Sequence, residues 1–328
     1  MLRRCLKAVA QLAVGAAALL AAAGLSACGA DKPSGAAEAR QPASALTTST
    51  ALPGTGRPPV TIGDKNFTEQ FVLGELYSQA LTAQGYAVLL NRNIGPTEVT
   101  MQALVSGRLD MYPEYLGTWN SAVAGYQRQF LSRGGAYRAA QRYAGAHGLR
   151  LLGATPFSST DAVGVTRSYA AAHELRGLDD LPAVASTLTF GAPPQFEQSA
   201  SGLPLLERLY GFAPASFKPL DVGAQYQALD QGAVQAAQVG TTDAQLTSGR
   251  YVLLRDPRHA FGWGNVVPIV SARVLNQEGP AFTATINRVS RLLSTAVMRR
   301  LNAAVDVSHQ DPATVAKQFL QAHGLVPA

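Results

Sequence analysis

The sequence predicts an α/β fold of two similar lobes, and three observations support that prediction. From Val60 onwards, short apolar strands alternate with amphipathic helices at the spacing of strand–helix–strand units. Residues 102–118 in the first half align without gaps with residues 227–243 in the second half, at an offset of 125 positions. The chain has 328 residues, of which 47% are hydrophobic and 15% charged. This is the composition of a globular protein with room for two domains.

Residues 1–28 predict the signal peptide of an exported lipoprotein. A short basic head precedes a nearly continuous apolar run over residues 8–24, and the tetrapeptide LSAC closes it at Cys28. The run is short for a spanning helix, which needs about 20 apolar residues. LSAC resembles the bacterial lipobox, whose cysteine carries the lipid. A single membrane anchor with an incidental cysteine is the alternative interpretation.

Residues 29–59 predict a flexible linker, because they are rich in Ala, Ser, Thr, Pro and Gly and have no hydrophobic periodicity. The two cysteines of the chain are Cys5 and Cys28, so the segment from Val60 has no thiol for a disulfide or a metal site. No later segment approaches 18 consecutive apolar residues, so the sequence predicts no further membrane span.

The net charge of +6 does not indicate a nucleic-acid partner. Half of this excess comes from Arg3, Arg4 and Lys7, which precede the first apolar run. The remaining chain has neither a block of five or six basic residues nor a basic stretch interleaved with aromatic residues. Nucleic acid is therefore disfavoured as a partner.

The first two strand–helix units begin at Val60. The strand VTIG leads to a helix with Thr68 as its cap, which ends at Gly85. The strand YAVLL leads to a helix capped by Thr97 and ended by Gly107, followed by a strand, RLDMY, that Pro113 stops. This alternation predicts a largely parallel sheet covered by helices on both faces.

The last third of the chain predicts a strand, NVVPIV, and two helices. An apolar stripe predicts one long helix from about Pro280 to Ala304, with arginines on its solvated side. Asp311 is the expected cap of the final helix, and Pro312 takes its first position.

The internal repeat predicts where a ligand binds. Each copy contains a helix end, a glycine cap, a strand and a polar loop, and the loops read EYLGT and VGTTD. In open α/β sheets, ligands lie beyond the carboxyl ends of strands. Two facing lobes would therefore place these loops on opposite walls of one cleft. Chance similarity between two helix–glycine–strand units is the alternative.

The sequence contains no assembled catalytic motif. Its five histidines show no metal-ligand spacing, and a nucleophile elbow, a Walker A loop and a complete GxGxxG are absent. We therefore expect a binding protein with no metal and no cofactor rather than an enzyme. Hydrolysis by Glu114 and Asp161 as a carboxylate pair is the alternative from another class.

Several motifs resemble those of the substrate-binding proteins of osmoprotectant ABC importers, the glycine betaine/choline/carnitine group. These motifs are IGDKNFTEQFVLGELYSQAL, GPTEVTMQALVSGRLDMYPEYLGT, VGTTDAQL, YVLLRDPRHAFGWGNVVPIV and DPATVAKQFL. The resemblance implies a two-lobed periplasmic-binding-protein fold (type II) that closes around a solute. It implies delivery of the solute to a permease with a cytoplasmic ATPase, and it agrees with the lipid anchor that residues 1–28 predict. We expect a monomer. We expect one lobe from residues 60–158 plus 255–328, and the other from residues 159–254.

The resemblance also implies a set of ligand-binding residues on the cleft walls. The loop before the first helix would offer backbone donors and the helix dipole to an anionic ligand group. Tyr112 and Trp119 stand open as either ligand or packing residues. The implied ligand-binding residues are Asn66, Phe67, Thr68, Gln70, Tyr115, Thr118, Asp161, Thr241, Thr242, Asp243, Trp263 and Asn265.

The chain departs from the family pattern where tyrosines usually face the cationic head of the solute. Asp161, Gly240 and Gly264 stand in place of three rings, and Ser199 replaces an arginine. We therefore expect weak binding of glycine betaine and a preference for a cation that carries N–H groups near Asp161. The alternatives are a rearranged site in which Trp263 supplies a ring, a different small polar solute, or a signalling receptor without a transport partner.

Overall fold

A computed structural model describes residues 51–328 of the chain. The predictions for the signal peptide, for Cys28 and for residues 29–50 of the linker lie outside this range. Within it, no helix combines the length and the apolar character that crossing a membrane requires.

The described chain forms two five-stranded sheets with the same layout. The first sheet has the order β2-β1-β3-β10-β4, and the second has the order β7-β6-β8-β5-β9. The strands are β1 (Val60–Gly63), β2 (Val88–Asn91), β3 (Met111–Tyr115), β4 (Leu149–Leu151), β5 (Asp161–Thr166), β6 (Thr189–Ala192), β7 (Ser216–Pro219), β8 (Ala236–Gly240), β9 (Tyr251–Leu253) and β10 (Val266–Ser271).

Both sheets are mixed, which corrects the prediction of a largely parallel sheet. In the first, β1 runs parallel to β2 and β3, whereas β10 is antiparallel to β3 and β4. In the second, β6 runs parallel to β7 and β8, whereas β5 is antiparallel to β8 and β9. The chain enters β5 and β10 from the other sheet, not through a helical crossover, so their direction is not constrained to be parallel.

Helices cover the faces of both sheets. We call the first sheet with α1–α4 and α8–α11 lobe I, and the second sheet with α5–α7 lobe II. The helices are α1 (Thr68–Ala83), α2 (Thr97–Val105), α3 (Leu116–Thr118), α4 (Arg133–Ala146), α5 (Arg167–Ala172), α6 (Leu203–Tyr210), α7 (Gln225–Asp230), α8 (Ala272–Glu278), α9 (Pro280–Leu292), α10 (Thr295–Asp306) and α11 (Pro312–Ala322).

The two sheets draw on different parts of the chain. The strands of lobe I lie within residues 60–151 and 266–271, and those of lobe II lie within residues 161–253. Each lobe has its own buried apolar residues on its sheet. The expected lobe limits within the two crossing segments remain a prediction.

The repeat holds at the level of single residues. At the same offset of 125 positions, β3 and β8 coincide from end to end, and each is the middle strand of its sheet. The interpretation of the repeat as two similar α/β units is therefore confirmed. Tyr115 and Gly240 occupy equivalent strand ends.

The predicted helix ends are confirmed, but two predicted caps are wrong. Gly85 and Gly107 follow α1 and α2 with φ of +83° and +74°, a conformation that favours glycine. Thr68 and Thr97 are the first helical residues, and neither preceding residue caps its helix through a side chain. The Thr97 hydroxyl is used inside lobe I instead, where it donates to Glu114 Oε2 at 3.0 Å.

The long helix predicted over residues 280–304 is two helices, α9 and α10. The chain leaves helical geometry at Leu293, and the Ser294 side chain accepts from Val297 N to start α10. Serine is a favoured cap residue, so it starts a new helix although the apolar stripe continues. The final helix is as predicted, since Asp311 caps it and Pro312 takes its first position.

The strand predicted to stop at Pro113 continues to Tyr115. Pro113 lies directly opposite Pro268 on β10. The Pro268 carbonyl accepts from Leu152 N, on the side away from β3. Neither proline thus has to donate to the other strand, which is why β3 tolerates an internal proline.

Candidate functional site

The chain crosses between the lobes twice, and the two crossing segments touch. Ser158 and Asn265 form an isolated antiparallel bridge. Ser159 N donates to Gly264 O at 3.0 Å, and Gly264 N donates to Ser158 Oγ at 3.0 Å. Two neighbouring crossings form the kind of connection about which two lobes rotate as a hinge.

Two adjoining cavities lie beside this crossing and share the residues Phe67, Ser159, Asp161 and Gly240. The larger, which we call the polar chamber, measures about 730 Å³. The smaller, which we call the aromatic chamber, measures about 400 Å³. Phe67 comes from lobe I and Asp161 from lobe II, so both lobes line each chamber.

The aromatic chamber is lined by four rings. Phe67 stacks on Tyr115, with their centroids 6.0 Å apart. Trp263 is fixed by its indole N–H, which donates to Phe130 O at 2.8 Å, and by His259, whose ring centroid lies 4.2 Å away. Phe261 completes the set. The faces of aromatic rings attract cations.

Tyr115 is held on both sides by charged groups. Its hydroxyl donates to Glu69 Oε1 at 2.8 Å, and Lys65 Nζ lies 5.2 Å from its ring centroid. Burial, together with the negative charge of Glu69, holds the pKa of Tyr115 well above its usual value. The phenol therefore stays protonated and keeps donating to Glu69.

A buried ion pair lies behind Tyr115. Lys65 Nζ donates to Glu114, and the two side chains are 6% and 0% exposed. Lys65 also donates to Thr97 Oγ1 at 2.9 Å. Glu114 accepts from Tyr112 OH at 3.3 Å and from Tyr115 N at 2.7 Å. Glu114 is thus committed to this network and lines neither chamber, which gives no support to its suggested pairing with Asp161 in hydrolysis.

The charged residues that line the polar chamber are all acidic: Glu69, Asp161, Asp243 and Asp306. Burial raises the pKa of the first three. Asp161 Oδ1 accepts from Gln238 Nε2 at 2.6 Å. No lysine or arginine is among the described residues that line either chamber.

Helix α10 of lobe I reaches the end of strand β8 in lobe II. Asn302 Nδ2 donates both to Glu69 Oε2 and to Thr242 O, each at 3.0 Å. Arg299 Nε donates to Thr241 O at 2.8 Å. This contact ties the first turn of α1 to the opposite lobe through a single asparagine.

The structure brings most of the expected ligand residues to the cleft. Those that line one or both chambers are Phe67, Thr68, Tyr115, Thr118, Asp161, Thr242, Asp243 and Trp263.

The remaining four expected residues line neither chamber. Asn66 is exposed, and Gln70 is fully buried. Thr241 Oγ1 accepts from Thr160 N and donates to Ser158 O. The buried Asn265 donates to two backbone carbonyls. Asn265 therefore ties the two crossing segments together, and Thr241 ties the first of them to the loop after β8.

Tyr112 and Trp119, left open between two roles, are packing residues. Both are fully buried. The ring of Trp119 lies edge-on to Tyr143, with the centroids 6.0 Å apart. Neither lines a chamber, so Trp119 does not replace a missing ring.

The two glycines that stand in place of rings lie against close neighbours. A Cβ on Gly264 would lie 1.9 Å from Ser159 O, and a Cβ on Gly240 would lie 2.3 Å from Asp243 Oδ1. Real Cβ atoms do not approach other atoms so closely. A larger side chain at Gly264 would therefore have to displace backbone, whereas one at Gly240 would have to displace the end of the Asp243 side chain. Ser199, which stands in place of an arginine, lines the polar chamber.

Sequence reasoning missed several lining residues. Phe261 lies two residues before Trp263 in the motif FGWG, which was a usable signal. Glu69 lies next to the expected Thr68. Asn302 gave no signal, because it lies within an ordinary amphipathic helix far along the chain and reaches the cleft only through tertiary packing.

Comparisons with known proteins agree with this architecture. A crystal structure of a glycine betaine/carnitine/choline ABC transporter protein superposes with a TM-score of 0.76 at 23% identity, over 81% of this chain and 99% of that one. This likeness confirms the two-lobed periplasmic-binding-protein fold.

Residues 58–322 match the family model described as the substrate binding domain of ABC-type glycine betaine transport systems. The glycine-betaine-binding protein of Pseudomonas aeruginosa is 32% identical over 276 residues, which cover 81% of this chain and 88% of that protein. The ergothioneine transport permease/ergothioneine binding protein EgtU of Helicobacter pylori is 26% identical over 81% of this chain and 48% of its own length. The chain therefore belongs to the family of substrate-binding domains of ABC-type glycine betaine transport systems, which is a family of solute-binding proteins and not of enzymes.

Proposed function

We propose that this chain is the extracytoplasmic solute receptor of an ABC importer and binds an osmoprotectant-type solute with a quaternary ammonium head. The observation that carries the proposal is the aromatic chamber, which lies at the seam of the two lobes with Asp161 on its wall. A methylated ammonium group is recognised by ring faces and by a nearby negative charge. Both are present in this chamber.

The chamber supplies rings from positions other than the three that lack one. Phe67 and Tyr115 come from lobe I, and Phe261 and Trp263 come from the second crossing segment. Each well-placed ring contributes about 0.5 to 2 kcal/mol to binding a cation. The chamber thus keeps four rings although three are absent at Asp161, Gly240 and Gly264.

The crossings support a receptor that closes on its solute. Lobe I and lobe II, with the expected limits of residues 60–158 plus 255–328 and residues 159–254, would rotate about the paired crossing segments. The closed receptor would deliver its solute to a permease with a cytoplasmic ATPase. A lipid on Cys28 and the linker of residues 29–59 would tether a monomer to the outer face of the membrane.

A second candidate is a different small cation, and Asp161 is the observation that favours it. A carboxylate on the chamber wall attracts any ammonium group, and it also accepts hydrogen bonds from one that carries N–H groups. A related protein of Helicobacter pylori is named as an ergothioneine binding protein. A solute other than glycine betaine is therefore a reasonable second candidate for this chain.

Titration calorimetry with choline, glycine betaine and carnitine tests the proposal on the wild type, Phe67→Ala and Leu131→Ala. Phe67 is 42% exposed, so its loss should spare the fold, and Leu131 is 90% exposed and lines neither chamber. We expect at least one solute to bind, with affinity about two- to thirtyfold lower in Phe67→Ala and unchanged in Leu131→Ala. Absence of binding at millimolar solute, or equal affinity in Phe67→Ala, would contradict the proposal.

A further inference from the structure

The polar chamber offers charged and polar groups that the ammonium head, in the aromatic chamber, does not contact. Its four charged lining residues are all carboxylates, although the chain as a whole carries a net charge of +6. It adjoins the aromatic chamber, with which it shares Phe67, Ser159, Asp161 and Gly240, so a solute with its head in the aromatic chamber can direct its arm towards the polar chamber. The part of the solute that enters it therefore meets negative charge.

A second observation also points to a ligand. Asn302 is 5% exposed and lines the polar chamber, and its Nδ2 is used by Glu69 and by Thr242 O. Both partners are acceptors, which fixes the orientation of the amide and leaves Oδ1 as the free end. Asn302 Oδ1 has no hydrogen-bond partner among the described residues. A buried acceptor without a partner costs stability unless something donates to it.

Gln238 repeats this arrangement on the other wall. Its Nε2 donates to Asp161, and its buried Oε1 has no partner within residues 51–328. Two donors of this chamber are already used: Tyr226 OH and Gly240 N both donate to Asp243 Oδ2, each at 2.8 Å. The walls thus offer free acceptors and carboxylates to a bound group.

The groups that could bind a solute carboxylate are weak. Ser199 and Ser201 share a hydrogen bond of 2.9 Å with each other. Arg299 donates to Thr241 O and is not among the lining residues. Gln195 adds an uncharged amide. A carboxylate in this chamber would therefore face four carboxylates, with no lysine or arginine among the described residues that line it.

We propose that the polar chamber is a subsite for a hydrogen-bond-donating arm of a cationic solute and that it rejects a carboxylate there. The inference rests on the proposed function, because it takes the ammonium head to lie in the aromatic chamber. The solute class is a quaternary ammonium alcohol or amine, with O–H or N–H groups on the arm that donate to Asn302 Oδ1, Gln238 Oε1 and the carboxylates. Carboxylated betaines are disfavoured.

Choline and glycine betaine form a matched pair, since they share the trimethylammonium head and differ in a terminal hydroxyl or carboxylate. Calorimetric titration of the wild-type protein with each solute separates head recognition from arm recognition. We expect choline to bind at least about tenfold more tightly, because an unpaired like-charge contact in a partly buried site is worth that factor or more.

Ser199→Arg places a cation in the polar chamber, and Gln127→Arg adds the same charge at an exposed residue that lines neither chamber. We expect Ser199→Arg to lower the ratio of choline affinity to glycine betaine affinity several-fold. We expect Gln127→Arg to leave this ratio unchanged. If Ser199→Arg fails to fold, the ratio of the choline and glycine betaine affinities of the wild-type protein still tests the inference.

Two results overturn the inference in different ways. Glycine betaine binding as tightly as choline or more tightly in the wild type overturns the arm subsite and leaves the proposed function standing. Absence of binding by choline, glycine betaine and carnitine at millimolar concentration overturns the proposed function and the inference with it.

Discussion

The buried ion pair behind the aromatic chamber provides a quantitative test of how lobe I holds its ligand-facing tyrosine. Lys65 and Glu114 are almost fully buried. Removing one partner of a buried pair typically costs about 3 to 5 kcal/mol of stability, because the other charge stays buried without compensation. Replacing both with uncharged side chains of similar shape is often close to neutral.

The surrounding contacts rank the two single variants. In Lys65→Met, the Glu114 carboxylate keeps three donors, Thr97 Oγ1, Tyr112 OH and Tyr115 N, so we expect a loss near 3 kcal/mol. In Glu114→Gln, the ammonium keeps only Thr97 Oγ1 as a full-strength acceptor, so we expect a loss near 5 kcal/mol. The double variant should lose at least 2 kcal/mol less than the sum of the two.

The assay is urea unfolding at pH 7 of the wild type, both single variants and the double variant. Arg250→Met is the control, because Arg250 is 63% exposed in its pair with Asp230 and should cost less than about 1 kcal/mol. If the loss of unfolding free energy in the double variant equals the sum of the two single losses within about 0.5 kcal/mol, the reasoning is refuted, because substitutions at independent sites add to that precision. Both single variants should also weaken solute binding, because Tyr115 lines the aromatic chamber.

Three further predictions concern the crossing, a buried acid and the anchor. Gly264→Ala should lower the melting temperature, because its Cβ would lie 1.9 Å from Ser159 O, whereas Gly145→Ala in α4 has its nearest neighbour at 3.9 Å and should not; equal melting temperatures would count against the crossing as described. Burial raises the pKa of Asp64 from 3.8 to about 6, so the folded state keeps a proton that the unfolded state releases. The stability of the wild type relative to Asp64→Asn should therefore be greatest below pH 3.8 and fall as pH rises through 6, and a flat difference in urea unfolding across that range would exclude this shift. Cys28→Ala should abolish lipid labelling and move the protein to the soluble exported fraction, and unchanged labelling would rule out Cys28 as the anchor.

Local pattern was sufficient for the fold class. Hydrophobic periodicity gave the alternation of strands and helices, and the glycines after α1 and α2 gave their ends. The failures have non-local causes. Pro113 stays within a strand because Pro268 lies opposite it, more than 150 positions away in the sequence, and the direction of β5 and β10 depends on how the chain crosses between lobes.

The residues of the candidate site also divide into those that a local motif indicates and those that depend on contacts between distant parts of the chain. Phe67 follows the predicted strand VTIG, and Asp161 is assigned to the site by the family resemblance. Asn302 and Ser159 reach it because α10 packs against the loop after β8 and because the crossing segments pair. No spacing rule in a single sequence connects such positions.

In the second crossing segment, the absence of a ring at Gly264 and the presence of Phe261 and Trp263 have one cause. Gly264 lets the two crossings approach until Ser159 N donates to Gly264 O. This contact fixes the backbone on which Phe261 and Trp263 are carried into the aromatic chamber. A tyrosine at position 264 would have to displace Ser159, and it would move both existing rings. The change at Gly264 is thus better explained as a ring moved along this segment than as a ring lost, while Phe67 and Tyr115 line the chamber from the positions that the resemblance implied.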